Sequence, residues 1–293
     1  MIRGTMKKYF TLPNVVLVLG LLFLYMPIVS MVIYSFNNSR LVTVWDAANS
    51  PTVKWYGALF RDHQVMQAAW VSIRVAAMAA SAAAVLGTLA GLVLARFGPF
   101  RGRALLQGLT TAPLVMPEVI TGLSMLLLFV SMEQLFKVLF GIQFDRGITT
   151  ITLAHITFTM AYVTVIVQSR LASFDDSLEE AAQDLGARPA RVFFRITLPL
   201  ITPAIMSGWL LAFTLSWDDV VVTQFVSGPG SNTLPMVVYS RVRLGVNPSI
   251  NALATLMVLI VATGVVISAI LMKRAEKKRA REMRMAEAGL NQP

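Results

Sequence analysis

The sequence predicts an all-α integral membrane protein with six transmembrane helices, and three observations carry that prediction. Only 14% of its 293 residues are charged and 56% are hydrophobic, with mean hydropathy +0.68; soluble domains carry about 25% charged residues. The apolar residues gather into runs of the length needed to cross a bilayer, about 20 residues as helix. Lysine and arginine are dense in alternate intervals between those runs, the pattern of a chain threaded back and forth with its basic loops inside.

Composition also excludes functions. The net charge of +10 and pI near 10.3 raise nucleic acid as a partner. Basic loops on one membrane face account for that charge, so no nucleic-acid binding is expected. The chain has no cysteine, which removes disulfides, thiolate metal sites and thiol catalysis. Its two histidines, His63 and His155, lie far apart in sequence, and no metal centre is expected.

Residues 1–11 are short and basic (Arg3, Lys7, Lys8), and Leu12 to Tyr34 is almost wholly apolar. A cleaved signal would have an apolar core of about 7–15 residues followed by a small-x-small site. This run is longer and ends in Met31-Val32-Ile33-Tyr34, so it reads as an uncleaved first span. A mixed loop with Trp45 and Trp55 follows. The second span, Trp70 to Ala95, carries Ala79, Ala83, Gly87, Gly91 and Ala95 at every fourth position, a stripe that lets another helix approach closely. Arg74 lies near its outer end, placed to snorkel or to pair with an acid.

Arg96 to Arg103 is a tight loop around Gly98-Pro99. The third span, Ala104 to Val130, holds Pro113, Pro117 and, near its midpoint, Glu118. Each proline lacks an amide donor and frees a carbonyl one turn earlier, so a kinked or locally open helix is expected. Ile148 to Gln168 is the fourth span, with His155 inside it as a packed, hydrogen-bonded residue. Ile201 to Val222 is the fifth, ending at Ser216-Trp217-Asp218-Asp219, and Ala252 to Met272 the sixth. A basic tail, 273–293, suits anionic lipid headgroups.

Of the 25 Lys and Arg, 17 fall in the N-terminus, 96–103, 170–195 and the tail, and seven on the opposite side. The richer side is the cytoplasm, which puts both termini there. It also places in the cytoplasm the polar stretch Asp175 to Pro203, DDSLEEAAQDLGARPARVFFRITLPLITP. Asp175, Asp176 or Ser177 caps a helix there, and Leu178, Ala181, Ala182 and Leu185 share one face. Gly186 stops that helix. Pro189 starts a short second one with Val192, Phe193 and Ile196 on its apolar side, and Pro199 and Pro203 shape entry to the fifth span. A helix–turn–helix on the membrane surface and a solvated loop both fit this pattern.

Here the residues match a family. Glu180-Ala181-Ala182, Gly186, Ile196 and Leu198-Pro199, at their full spacing, resemble the EAA motif of permease subunits of bacterial ABC importers. The resemblance implies a permease domain over 1–272, whose coupling loop, 173–200, docks into an ATP-hydrolysing partner. Glu180 would meet a basic group there, and Arg191 and Arg195 would position the loop against the partner or lipid. The chain has no GxxxxGK[ST] loop of its own, so the resemblance puts ATP and Mg on partner subunits and no cofactor on this chain.

Further stretches narrow the resemblance to the polyamine importers of the putrescine and spermidine type: Tyr34-Ser35-Phe36-Asn37, Ala112 to Gly122, Ser216 to Asp219, Val226 to Gly230, Thr233-Leu234-Pro235 and Gly245 to Leu253. It implies a heterodimer with a second permease, two ATP-binding subunits, a periplasmic polyamine-binding protein, alternating access and the bacterial inner membrane. A polyamine path needs carboxylates separated by apolar or aromatic surface. Glu118, Asp218 and Asp219 are the candidates, since an acid inside a span is costly and by default functional. Trp217, Trp209 and Tyr239 are candidate cation–π partners, although the tryptophans also suit interface anchors. Glu118 could instead pair with an arginine or cap the kink. The two aspartates point to different faces, so one faces the path, taken to be Asp219, while the other caps the loop. The alternatives are an ABC importer for another solute, such as an anion or iron, and an ATP-independent secondary transporter. Nothing resembles an enzyme's nucleophile–base or metal constellation.

Overall fold

A computed structural model of the chain describes residues 12–39, 41, 44–143, 145–173, 175, 177–244 and 248–290. Arg3, Lys7, Lys8, Asp176 and Gly245-Val246-Asn247 lie outside them, as do the tail's side chains at Ala275, Glu276 and from Lys278 onward. Among the described residues, six helices are long and apolar enough to cross a membrane. The chain divides into two compact units, Met1–Met66 with Ser240–Pro293, and Gln67–Tyr239.

The first unit contains α1 (Leu12–Tyr34), α2 (Lys54–Arg61) and α12 (Ser249–Leu290). Its loop is built on Asn37, which is buried. Asn37 Nδ2 donates to Val44 O at 2.7 Å, and its Oδ1 accepts from the amides of Asp46 (3.0 Å) and Ser39 (3.2 Å). Its carbonyl accepts from Trp55 Nε1 at 2.7 Å, and Ser35 Oγ meets Tyr56 OH at 2.6 Å. A polar loop thus acquires a core of its own, because each buried polar group finds a partner. Asp62 takes the amides of Gln64 and Val65 on Oδ1 and Arg241 Nη2 on Oδ2 at 2.7 Å. Burial pushes that carboxyl up, but Arg241 and the amides outweigh burial and hold it below its usual range.

The second unit takes most of α3 (His63–Arg96) and α11 (Leu234–Leu244). Between them come α4 (Arg103–Val115), α5 (Glu118–Phe140), α6 (Ile148–Ala172), α7 (Ser177–Asp184), α8 (Pro189–Val192), α9 (Leu198–Asp218) and α10 (Val221–Val226). Its centre is α6, whose buried residues include Ile151, Ala154, His155, Val163 and Val167. The small-residue stripe of α3 packs against it. A β-carbon at Gly87 would stand 2.7 Å from Val163 Cβ, and one at Gly91 would stand 3.0 Å from Thr164 O. Gly208 of α9 meets the same Val163 from another side.

The third span opens at its prolines, as expected, and the fifth differs from the sequence expectation. The third is broken at Met116-Pro117 into α4 and α5; Pro117 has no N–H to continue the ladder, and α5 is the longer of the two pieces. The second helix of the 173–200 loop is not separate. Pro189–Asp218 forms one rod through a π-helical turn, Phe193–Thr197. Pro199 lacks a donor and its ring crowds the carbonyl of Arg195, and the wider turn accommodates both. The fifth span also stops early, at Asp218 rather than Val222, and the chain re-forms as the short α10.

Candidate functional site

The break before α5 and the end of α9 face one cavity of about 540 Å³. Pro113, Leu114, Met116, Pro117, Glu118 and Thr121 line one wall, Leu215 and Asp218 to Val222 another, and Phe158 and Tyr162 of α6 a third. Phe158 and Tyr162 lie near the middle of the 25-residue α6, roughly 15–20 Å from its start at 1.5 Å per residue. The cavity therefore sits near mid-span. Glu118 reaches that level as the first residue of α5, where the positive helix end favours its charge. Asp218 is the last residue of α9. No lysine, arginine or histidine lines the cavity among the described residues.

The two aspartates both line the cavity but differ in their partners. Asp219 is the cap. Its Oδ2 accepts from Thr223 N at 2.7 Å and Thr223 Oγ1 at 2.6 Å, and its Oδ1 accepts from Val222 N at 3.3 Å. His155, fully buried, stands 3.3 Å from the same Oδ2 through Nε2. It also meets Thr223 Oγ1 at 3.0 Å and, through Nδ1, Ser216 Oγ at 2.6 Å. Asp219 and His155 thereby pin α10 and the end of α9 to α6, a position His155's place in the sequence did not reveal. Asp218 lines the cavity beside Asp219, outside that cap. Both lie deeper than the span's loop-facing end, because Asp219 is level with His155, seven residues into α6.

The aromatic candidates lie elsewhere. Trp217 is 3% exposed and stacks on Phe213, which stacks on Trp209; Trp209 Nε1 donates to Ser81 Oγ at 3.1 Å. This ladder packs α9 rather than lining the cavity. Tyr239 is on α11 and also outside the lining. Phe158 and Tyr162 are the aromatic walls, and their four-residue spacing in the fourth span was the available signal.

In the 173–200 loop, Asp175 Oδ1 accepts from Ser177 N at 3.0 Å and caps α7. Gly186 adopts φ +82, with Ala187 N on Ala182 O and Gly186 N on Gln183 O, a left-handed stop that glycine tolerates best. Glu180, Ala181, Arg191 and Pro199 are exposed, whereas Ala182, Ile196 and Leu198 are half-buried. Leu178 and Leu185 are also exposed, Leu185 at 90%. Glu179, which the sequence did not single out, turns inward. It accepts from Thr197 Oγ1 at 2.6 Å and from Arg96 Nη2 at 3.4 Å.

Comparison with known proteins bears on both regions. Residues 87–281 match the family model described as binding-protein-dependent transport system inner membrane component. The putrescine transport system permease protein PotI of Escherichia coli (strain K12) is 57% identical over 277 residues, 94% of this chain and 95% of its own. The spermidine/putrescine transport system permease protein PotC of the same strain is 39% identical, over 87% and 91%. Among solved structures, a chain of a bacterial alginate ABC transporter in complex with its alginate-bound periplasmic protein superposes with TM-score 0.73 at 15% identity, over 93% and 97%.

Proposed function

We propose, on the premise that the chain belongs to the family of binding-protein-dependent transport system inner membrane components, that it is one transmembrane half of an ATP-driven polyamine importer of the putrescine and spermidine type. It is a multi-pass protein of the inner membrane and a transporter rather than an enzyme. The observation that carries the cargo is the cavity. Three carboxylates, Glu118, Asp218 and Asp219, line it near mid-span with Phe158 and Tyr162, and that of Asp219 is engaged in capping α10. The C-terminal ends of α4 and α9 are at the same place, and helix C-termini are negative. An organic cation with methylene spacers fits acids, carbonyl ends and aromatic faces, whereas an anion would meet carboxylates and no lining lysine, arginine or histidine among the described residues.

The partners follow from the same reading. A second permease completes the path, a periplasmic binding protein delivers the polyamine, and two ATP-binding subunits hold ATP and Mg. The 173–200 loop lies on the cytoplasmic side with both termini, as the distribution of Lys and Arg indicates, and Glu180 offers its carboxylate to the ATPase. Alternating access moves the cavity from one face to the other.

The test is uptake of labelled putrescine into proteoliposomes holding the full complex. ATP-dependent uptake that unlabelled spermidine competes away is expected. Uptake without ATP, or none with a functional binding protein present, would overturn the assignment.

A further inference from the structure

Glu118 and Asp218 stand at the far ends of two helical routes whose near ends are fastened to one side chain, Glu179. On the first route, Thr197, 4% exposed, donates to Glu179 Oε1 at 2.6 Å. Thr197 closes the π-helical turn that opens into α9, and α9 ends at Asp218. On the second, Arg96 Nη2 reaches the same oxygen at 3.4 Å. Arg96 is the last residue of α3, and that end is clamped to the start of α4. Arg103, the first residue of α4, donates to Leu94 O at 2.9 Å and to Gly98 O at 2.7 Å. From there α4 runs to Val115, and only Met116 and Pro117 separate it from Glu118.

Neighbouring residues of one helix point about 100° apart. Glu180 is exposed while the Glu179 side chain is only 17% exposed, against an Arg96 side chain at 18%. One acid thus faces outward and the next is built into the permease. A pair this sheltered from water is screened less than a surface pair, and packed helices carry displacement between discrete arrangements.

We propose that Glu179 is the joint through which movement of the 173–200 loop reaches Glu118 and Asp218 in the cavity. It is a positioning residue: it touches neither cargo nor ATP. A displacement of α7 pulls on Thr197 and Arg96 together, and so shifts Asp218 and Glu118 in the same event. The inference rests on the importer reading for the existence of ATP-driven motion, and not on which cargo moves.

The test uses the complete complex with its second permease and ATPase subunits in nanodiscs. The chain has no cysteine, so spin labels on Leu114→Cys and Leu215→Cys, both lining the cavity, report its width once the partner subunits are made cysteine-free. In the parent complex, ATP and Mg change the label distance. In Glu179→Gln and Arg96→Gln complexes with unchanged ATPase-subunit content, that change shrinks or vanishes, and transport per ATP hydrolysed falls about ten-fold. Arg96→Lys, which keeps the charge, recovers most of it. A full distance change in both variants overturns the proposal, and so does a transport loss that merely tracks lost complex. A parent complex that responds to ATP but takes up no putrescine refutes the cargo reading and leaves the joint standing. One that ignores ATP refutes both.

Discussion

Two adjacent aspartates, alike in sequence, carry different chemistry because α9 ends between them. Asp218 is the last helical residue, and Asp219 begins the extended turn that α10 needs capped. The Asp219 side chain is bound to the amides of Val222 and Thr223, the Thr223 hydroxyl and His155, so its loss is a loss of architecture. Asp219→Ala should cost about 1–3 kcal/mol from the lost cap and the unpaired buried groups it leaves. It should lower the melting temperature of the detergent-solubilised chain. Asp218→Asn should leave the melting temperature in place and raise the putrescine concentration for half-maximal uptake about ten-fold, as expected for a lost charge-assisted contact. The division of roles would be wrong if Asp219→Ala melted normally while abolishing uptake per molecule.

At the scale of elements, the sequence spoke clearly wherever the cause was local. Apolar runs located the six spans, because a bilayer demands length. Gly186 and Pro189 marked the loop's turn, and Pro117 marked the break before Glu118, because each changes the backbone at its own position. What stayed hidden depends on distant partners. His155 and Asp219 are 64 residues apart, as are neither Glu179 and Arg96 nor Glu179 and Thr197 related by any local pattern; only folding brings them together. Trp209, Phe213 and Trp217 did repeat every four residues, a helix-face signal, but periodicity could not say whether that face met a cavity or a neighbouring helix. The stripe on α3 is the opposite case, where pattern and partner agree. A Gly87→Ala β-carbon would press on Val163 Cβ, which has no rotamer freedom, whereas Gly264 of α12 has nothing within 4 Å. Gly87→Ala should destabilise by about 1–3 kcal/mol through overpacking, and Gly264→Ala should not. Equal melting temperatures for the two variants would mean α3 and α6 are not in close contact.

For the whole molecule, the decisive feature is that one short helix, α7, presents acids in two directions. Glu179 is tied inward to the bases of α3 and α9. Glu180 stands exposed on the same loop as the exposed Leu178 and Leu185, apolar side chains of the kind the proposed docking would cover. A loop that only capped the membrane surface would have no use for an outward carboxylate, since anionic headgroups would repel it. The two acids should therefore fail differently. Glu180→Lys reverses the charge that the proposed docking offers to the ATPase, while leaving α7 fastened through Glu179. The permease should reach the membrane in normal amount, but ATPase subunits should co-purify poorly and uptake should fall at least ten-fold, the effect expected for like charges at a contact. Glu179→Gln should retain the ATPase subunits and lose transport per ATP. Affinity purification through a tag on this chain, with uptake measured in the same membranes, separates the two. Normal ATPase recovery and normal uptake with Glu180→Lys would remove the docking role from the exposed face of α7.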